Sequence, residues 1–322
     1  MTTDVLLILG AIFVWAAAAL LGVICFFSKK PKSSQSQSHA QLLPVGIADW
    51  EDIVDYKMLY VDKTSLFNSL ITTKRKVFLA RPQGMGKSLL CSMLADLFVN
   101  GTSDFKHTAI CDNWPDQNRY QVIRLSFGGL GGHDEIMMRN SLKGLLVEAY
   151  VSAGFAQVKN MEYAATTLNR LLGHLSSISL KNRLVFLIDD WDYPLTASYG
   201  YPVRYQAALD VLSEFYTWLN HLEHVCFILV TGKTHELSSQ LVTCGDIRDI
   251  SADPEYATLL GLTPEELESN YAPFIEAAAQ RRGESVEAVR AALEACACEV
   301  SLDGGAKVKL YNPRAVSRLL AP

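Results

Sequence analysis

Two short apolar runs, VFLA at 77–80 and LVFLI at 184–188, break off onto residues that do not belong in a core: RPQGMGKS after the first and DDWD after the second. One strand that delivers a glycine-containing turn and another that delivers carboxylates point to a parallel sheet with a site at its carboxyl edge. Three further β-rich runs extend the pattern, VIRLSF at 122–127, VCFILV at 225–230 and the short IRDI at 247–250. Between the first two strands Leu89, Leu90, Met93, Leu94, Leu97 and Phe98 recur at helical spacing. Helices are also expected at 134–152, 161–178 and 203–221, the last after Pro202, which favours a helix start. The fold class read from this alternation is α/β, a mainly parallel sheet flanked by helices.

The loop at 81–88 ends as a phosphate-binding loop does, on Gly86, Lys87 and Ser88, but Arg81 stands where the first glycine of G-x-x-x-x-G-K-S/T belongs. A strand, a tight turn and a helix starting at Lys87 aim backbone N–H groups and the positive end of the helix at one point, which suits a polyphosphate. Lys87 is expected on the terminal phosphates and the Ser88 hydroxyl on Mg²⁺. Gly84 and Gly86 let the backbone approach the ligand. Asp189 is expected to orient the metal, and Asp190 to orient or deprotonate the attacking water. Thr231, at the tip of a third strand, is a candidate to hold that water, with a plain Thr–Gly turn as the alternative. Together the two runs read as a P-loop NTPase, with Lys87, Asp190 and Thr231 catalytic and Ser88 and Asp189 on the metal. No G-x-G-x-x-G opens a helix, which disfavours a dinucleotide fold.

The amino end sets a separate expectation. Val5 to Phe27 carries no charge, and as a helix it would reach about 35 Å, enough to cross a bilayer. Asp4 precedes it, and Lys29, Lys30 and Lys32 follow, so the expected orientation is amino terminus outside and remainder cytoplasmic, at a bacterial inner membrane. A cleaved signal peptide, with Ala16 to Ala19 before the cut, is the alternative. The expected division is an anchor at 1–27, a flexible Ser/Gln-rich linker at 28–42, the sheet domain at 43–251 and a helical lid region at 252–322. Seven scattered Cys give no disulfide framework, and a net charge of -5 gives nucleic acid no general attraction, leaving only a local groove open to it.

With these motifs in place, residues 43 to about 320 resemble the bacterial AAA-ATPase-like family. Its members open with P-x-G-I and Y-V-D-K-T, carry R-P-R-R-F-G-K-S/T and I-D-E-Y-D-x-P-L, and continue through G-F-T-x-x-E and Y-N-P-x-S. This chain has PVGI at 44–47, YVDKT at 60–64, RPQGMGKS at 81–88, LIDDWDYPL at 187–195, GLTPEE at 261–266 and YNPRAVS at 311–317. The resemblance implies ATP and Mg²⁺, and a loop in which Arg81 and Pro82 are the family's own variant. The expected nucleotide contacts are Arg81, Gln83, Gly84, Met85, Gly86, Lys87, Ser88 and Leu89. Gln83, Gly84 and Met85 replace R-R-F, and Asp190 replaces the family's Glu with one methylene fewer. Family domains often precede a PD-(D/E)XK nuclease-like domain, which is not expected here, since the chain has ten residues after Asn312.

Two functions follow as expectations: a membrane-anchored Mg²⁺-dependent ATPase, or an ATP-dependent switch or scaffold that recruits an unknown protein partner with little hydrolysis. Tyr60, Asp62, Lys63 and Thr64 are read as a structural hydrogen-bond cluster, with approach to the nucleotide as the alternative. Cys296 and Cys298, in an Ala-rich run read as helical, are not expected to share a metal. His221 and His224 are read as a helix end, and Arg248, Arg281 and Arg282 are surface residues that could serve a neighbouring subunit's site.

Overall fold

All five expected strands form, and they are parallel. β1 (Lys76–Ala80), β2 (Gln121–Ser126), β3 (Leu184–Asp189), β4 (Phe227–Gly232) and β5 (Arg248–Asp249) align in the order β2-β3-β4-β1-β5. β3 and β4 are buried along their whole length, which explains why they read as continuous apolar runs rather than alternating ones. The fourth strand lies two residues later than VCFILV suggests, and this brings Thr231 and Gly232 into the sheet. This computed structural model describes residues 41–115, 119–164, 167–234, 238–242 and 245–322. The expected anchor at 1–27 and all but the last two residues of the linker lie outside them. Among the described residues no helix is long and apolar enough to cross a membrane.

Alternate strand residues feed two cores. Phe78, Ile123, Phe186, Ile188, Ile228 and Val230 pack on one face against helices that include α3 (Glu135–Ser152), α4 (Leu168–Ser179) and α5 (Pro202–Asn220). Val77, Leu79, Val185, Leu187, Phe227 and Leu229 pack on the other, against α2 (Lys87–Asn100) and the segment containing α1 (Trp50–Asp55). Helix starts follow their caps: Asp134 accepts the Met137 N–H, Thr167 the Arg170 N–H, and Pro202 occupies the first turn of α5. The expected helix at 161–178 is two helices, Val158–Ala164 and α4.

The region after 252 departs from an all-helical reading. α6 (Pro264–Arg282), begun by a Thr263–Glu266 capping box, and α7 (Val286–Glu294) are helical as their spacing implies. Beyond them come an antiparallel hairpin, β6 (Ala297–Ser301) with β7 (Lys307–Tyr311), and α8 (Pro313–Leu320). The helical reading of Cys296 and Cys298 is therefore corrected: Cys298 is a strand residue opposite Leu310, where spacing by two keeps side chains on one face. The alternation of KVKLY and the Gly304–Gly305 turn outweigh the alanine content. Leu262, Leu267, Tyr271, Ile275, Tyr311 and Val316 join these pieces in a third core.

Candidate nucleotide-binding site

β1 lies next to β4, and the Arg81 N–H extends their pairing by donating to the Gly232 carbonyl over 3.0 Å. The chain then leaves the sheet through 82–86. Gly84 and Gly86 take φ of +86° and +102°, and Gly86 begins α2 without a side-chain cap, so the first N–H groups of the helix are left for another acceptor. The Lys87 side chain, 6% exposed, folds back over the loop, where Nζ donates to the carbonyls of Arg81 (2.7 Å) and Pro82 (3.0 Å). Burial lowers its pKa, against the pull of Asp189, Asp190 and Asp192.

Strand order brings the carboxylates to the same place. Asp189 ends β3 and is 8% exposed. Its Oδ2 accepts the Ser88 hydroxyl at 2.5 Å, and its Oδ1 accepts the Thr231 hydroxyl at 2.5 Å and the Asp190 N–H at 2.9 Å. Asp190 has a φ of +54°, and a Cβ on Gly128 would lie 3.1 Å from its Oδ2. Burial, then the charge of Asp189, raises the Asp190 pKa. A cleft of about 270 Å³ lies beside these groups, lined by Gln83, Gly84, Gly86, Lys87, Ser88, Leu89 and Asp190, with Pro44, Gly46, Ile47, Ala48, Pro313, Arg314 and Ser317 as further walls.

A family model described as Predicted AAA-ATPase matches residues 44–240, more than half of the chain. The chain belongs to this AAA-ATPase-like family. A protein of Azotobacter chroococcum mcd 1, named "Uncharacterized protein in vnfD 5'region", is 29% identical over 236 residues, which cover 72% of this chain and 45% of that protein. The chain thus spans less than half the length of this relative. No solved structure matches. Membership in the AAA-ATPase-like family supports nucleotide binding by the chain.

Not every expected contact faces that cleft. Arg81 is 2% exposed and turned inward, with Nη1 donating to the carbonyls of Ala80 (2.9 Å) and Ser251 (2.6 Å), while Nε and Nη2 are buried without a partner. Met85 is buried against Gly261, and its carbonyl accepts the Gly261 N–H. Thr231 is wholly buried and its hydroxyl is given to Asp189, so it holds the carboxylate rather than facing the cleft. The Tyr60–Thr64 cluster is structural: Asp62 accepts the N–H groups of Thr64 and Ala109, Thr64 accepts that of Ile110, and Lys63 pairs with Glu266.

Other residues escaped sequence reasoning. Asp192, nearly fully buried, accepts the N–H groups of Lys233 (3.1 Å) and Thr234 (3.0 Å), and the indole of Trp191 donates to the Thr234 carbonyl (3.0 Å). A Cβ on Gly232 would stand 2.1 Å from the Trp191 ring, so this position takes only glycine. DDWD thus divides its work: the first pair serves the cleft, and the second pair clamps the chain after β4. Asn312 Nδ2 donates to the Gln83 carbonyl (2.7 Å) and the Arg314 N–H to that of Gly84 (3.3 Å), so the start of α8 is seated on the loop. Asn-Pro is legible as a helix start. The surface it meets is not, and the AAA-ATPase-like match ends before it.

Proposed function

We propose that the cleft binds ATP with Mg²⁺ and that the protein is an ATP hydrolase of P-loop type. The observation that carries this reading is the 2.5 Å hydrogen bond from Ser88 to Asp189, which unites the helix start behind the loop with the carboxylate strand. These are two hard oxygen donors side by side, as Mg²⁺ requires when phosphate oxygens and water fill the rest of its shell. The metal, when bound, neutralises charge on the phosphates. Lys87 exchanges two loop carbonyls for phosphate oxygens, and the uncapped N–H groups of α2 receive the same anion. Thr231 keeps Asp189 in place, and Asp190, on the cleft wall, orients the attacking water and takes its proton. Gln83, Gly84, Gly86 and Leu89 shape the cleft, while Arg81 and Met85 act from behind it, as braces.

A second reading, an ATP-dependent switch or scaffold with an unidentified protein partner and little turnover, is favoured by the short reach of Asp190. We also propose that 1–27 anchors the chain in the inner membrane with the domain in the cytoplasm, that 28–42 is the tether, and that 252–322 acts as the lid over the 43–251 domain. Phosphate release by the purified chain, compared with Lys87→Ala and Asp190→Glu, tests the reading. Hydrolysis lost in Lys87→Ala supports an ATPase. No Lys87-dependent release in the parent, with gain in Asp190→Glu, supports the switch; nucleotide binding unaffected by Lys87→Ala overturns both.

A further inference from the structure

β2 ends the sheet on one side, and most of its outer edge is open. The Gln121 N–H donates to the Arg183 carbonyl (3.2 Å) and the Phe127 N–H to that of Asp189 (2.9 Å), so the odd-numbered residues of the strand turn to β3. Val122, Arg124 and Ser126 therefore turn their N–H and C=O groups outward. Tyr120, of the same parity, has its N–H met by the Phe98 carbonyl of α2 at 3.2 Å. Beyond it, no group among the described residues pairs with the outward backbone of 122, 124 or 126.

These three residues line a groove of about 670 Å³ between α2 and α3, which shares no lining residue with the nucleotide cleft. Asp49, Glu51, Asp96, Asp104 and Glu148 face Arg124 around it, and none of the six makes an ion pair among the described residues. Asp96 Oδ2 is buried without a partner, as is the indole N–H of Trp50, which borders the groove and is 4% exposed. Burial raises the Asp96 pKa, and the charges of Asp104, Glu51 and Asp49 add to it. Among the described residues no three such groups gather closely enough to hold a metal ion, so the complement is a set of cations spaced apart. An extended chain supplies that, with same-face side chains about 7 Å apart, and its backbone fits an unpaired edge. A net charge of -5 sets a second copy of this chain against the groove. We infer that the edge of β2 docks an extended basic segment of a partner protein, which adds a strand to the sheet and lays its lysine or arginine side chains on the groove carboxylates.

The test is fluorescence anisotropy of the purified full chain with a labelled peptide of alternating lysine and valine, long enough to span β2. Alongside it go the glutamate–valine counterpart, spermine as an unlabelled competitor, and two copies of the lysine peptide N-methylated at alternate amides, one in each register. The lysine peptide is expected to bind and the glutamate peptide not to. One methylated copy is expected to lose roughly tenfold, the scale of two hydrogen bonds, while the other, with its methyl groups facing away from β2, stays within about twofold. Glu148→Lys is expected to weaken the lysine peptide and Arg124→Glu to tighten it. Equal binding of the two methylated copies, or spermine bound as tightly as the peptide, reduces the groove to charge alone and overturns strand addition. Binding indifferent to both substitutions, or no binding by the parent chain, overturns the assignment of the groove.

Discussion

The Ser88 hydroxyl donates to Asp189 Oδ2 across 101 residues of chain, and the same carboxylate takes the Thr231 hydroxyl on its other oxygen. Asp189 is therefore held from two elements before any ligand arrives. Ser88→Ala is expected to lower ATP affinity roughly tenfold in Mg²⁺, the scale of a charged hydrogen bond, and to change little in EDTA. Isothermal titration in the two buffers checks this, and an equal loss in both removes Ser88 from the metal.

Asp192 offers a stability test separate from chemistry. Asp192→Ala removes the acceptor of the Lys233 and Thr234 N–H groups, and unfolding in urea is expected to show a loss of about 1–3 kcal/mol, the scale of hydrogen bonds to a charged group. A loss below about 0.5 kcal/mol, the usual scatter for surface changes, contradicts the clamp.

Gly84 couples the loop to the carboxyl-terminal helix. A Cβ there lies 2.6 Å from Asn312 Oδ1, on a backbone with φ of +86°. Gly84→Ala is expected to destabilise by about 1–3 kcal/mol, and part of that returns when Asn312→Ala removes the clash, leaving the backbone strain. A double-mutant cycle by thermal unfolding reads the coupling, and strict additivity denies the contact.

Asp190 predicts a pH dependence in protein free of nucleotide and metal. Its pKa is raised in the fold, by burial first and Asp189 second, so the native state disfavours its ionised form. Stability from this group is complete below the ordinary Asp pKa of 3.8 and is lost as pH rises through the higher folded value. Asp190→Asn is expected to match the parent in acid and to exceed it at neutral pH. A constant difference across the range rules out that linkage.

Glu266 serves both the cap of α6 and the Lys63 ion pair. Lys63→Ala is expected to cost about 1 kcal/mol or less, as partly exposed pairs do, and Glu266→Ala about 1 kcal/mol more, since it also gives up the capping box. Chemical unfolding of both variants checks the order, and the reverse order refutes it.

Strand positions were legible because β3 and β4, covered on both faces, must be apolar throughout. Lys87, Ser88, Asp189 and Asp190 were legible because each sits beside such a strand, where a polar residue has to be explained. Arg81 was not, because its residue type fixes neither the direction of its side chain nor the Ser251 carbonyl it meets. The contact of Asn312 with Gln83 spans 229 residues, and no local pattern encodes a meeting at that separation. The hairpin at 297–311 was hidden by the Glu/Ala-rich helices before it, although KVKLY alternates as a strand should.

Seating Asn312 and Arg314 on the backbone of Gln83 and Gly84 makes α8 a lever on the loop. It is a helix of eight residues whose first turn grips the loop itself. A displacement of α8 is thereby passed to the backbone of the loop through two hydrogen bonds.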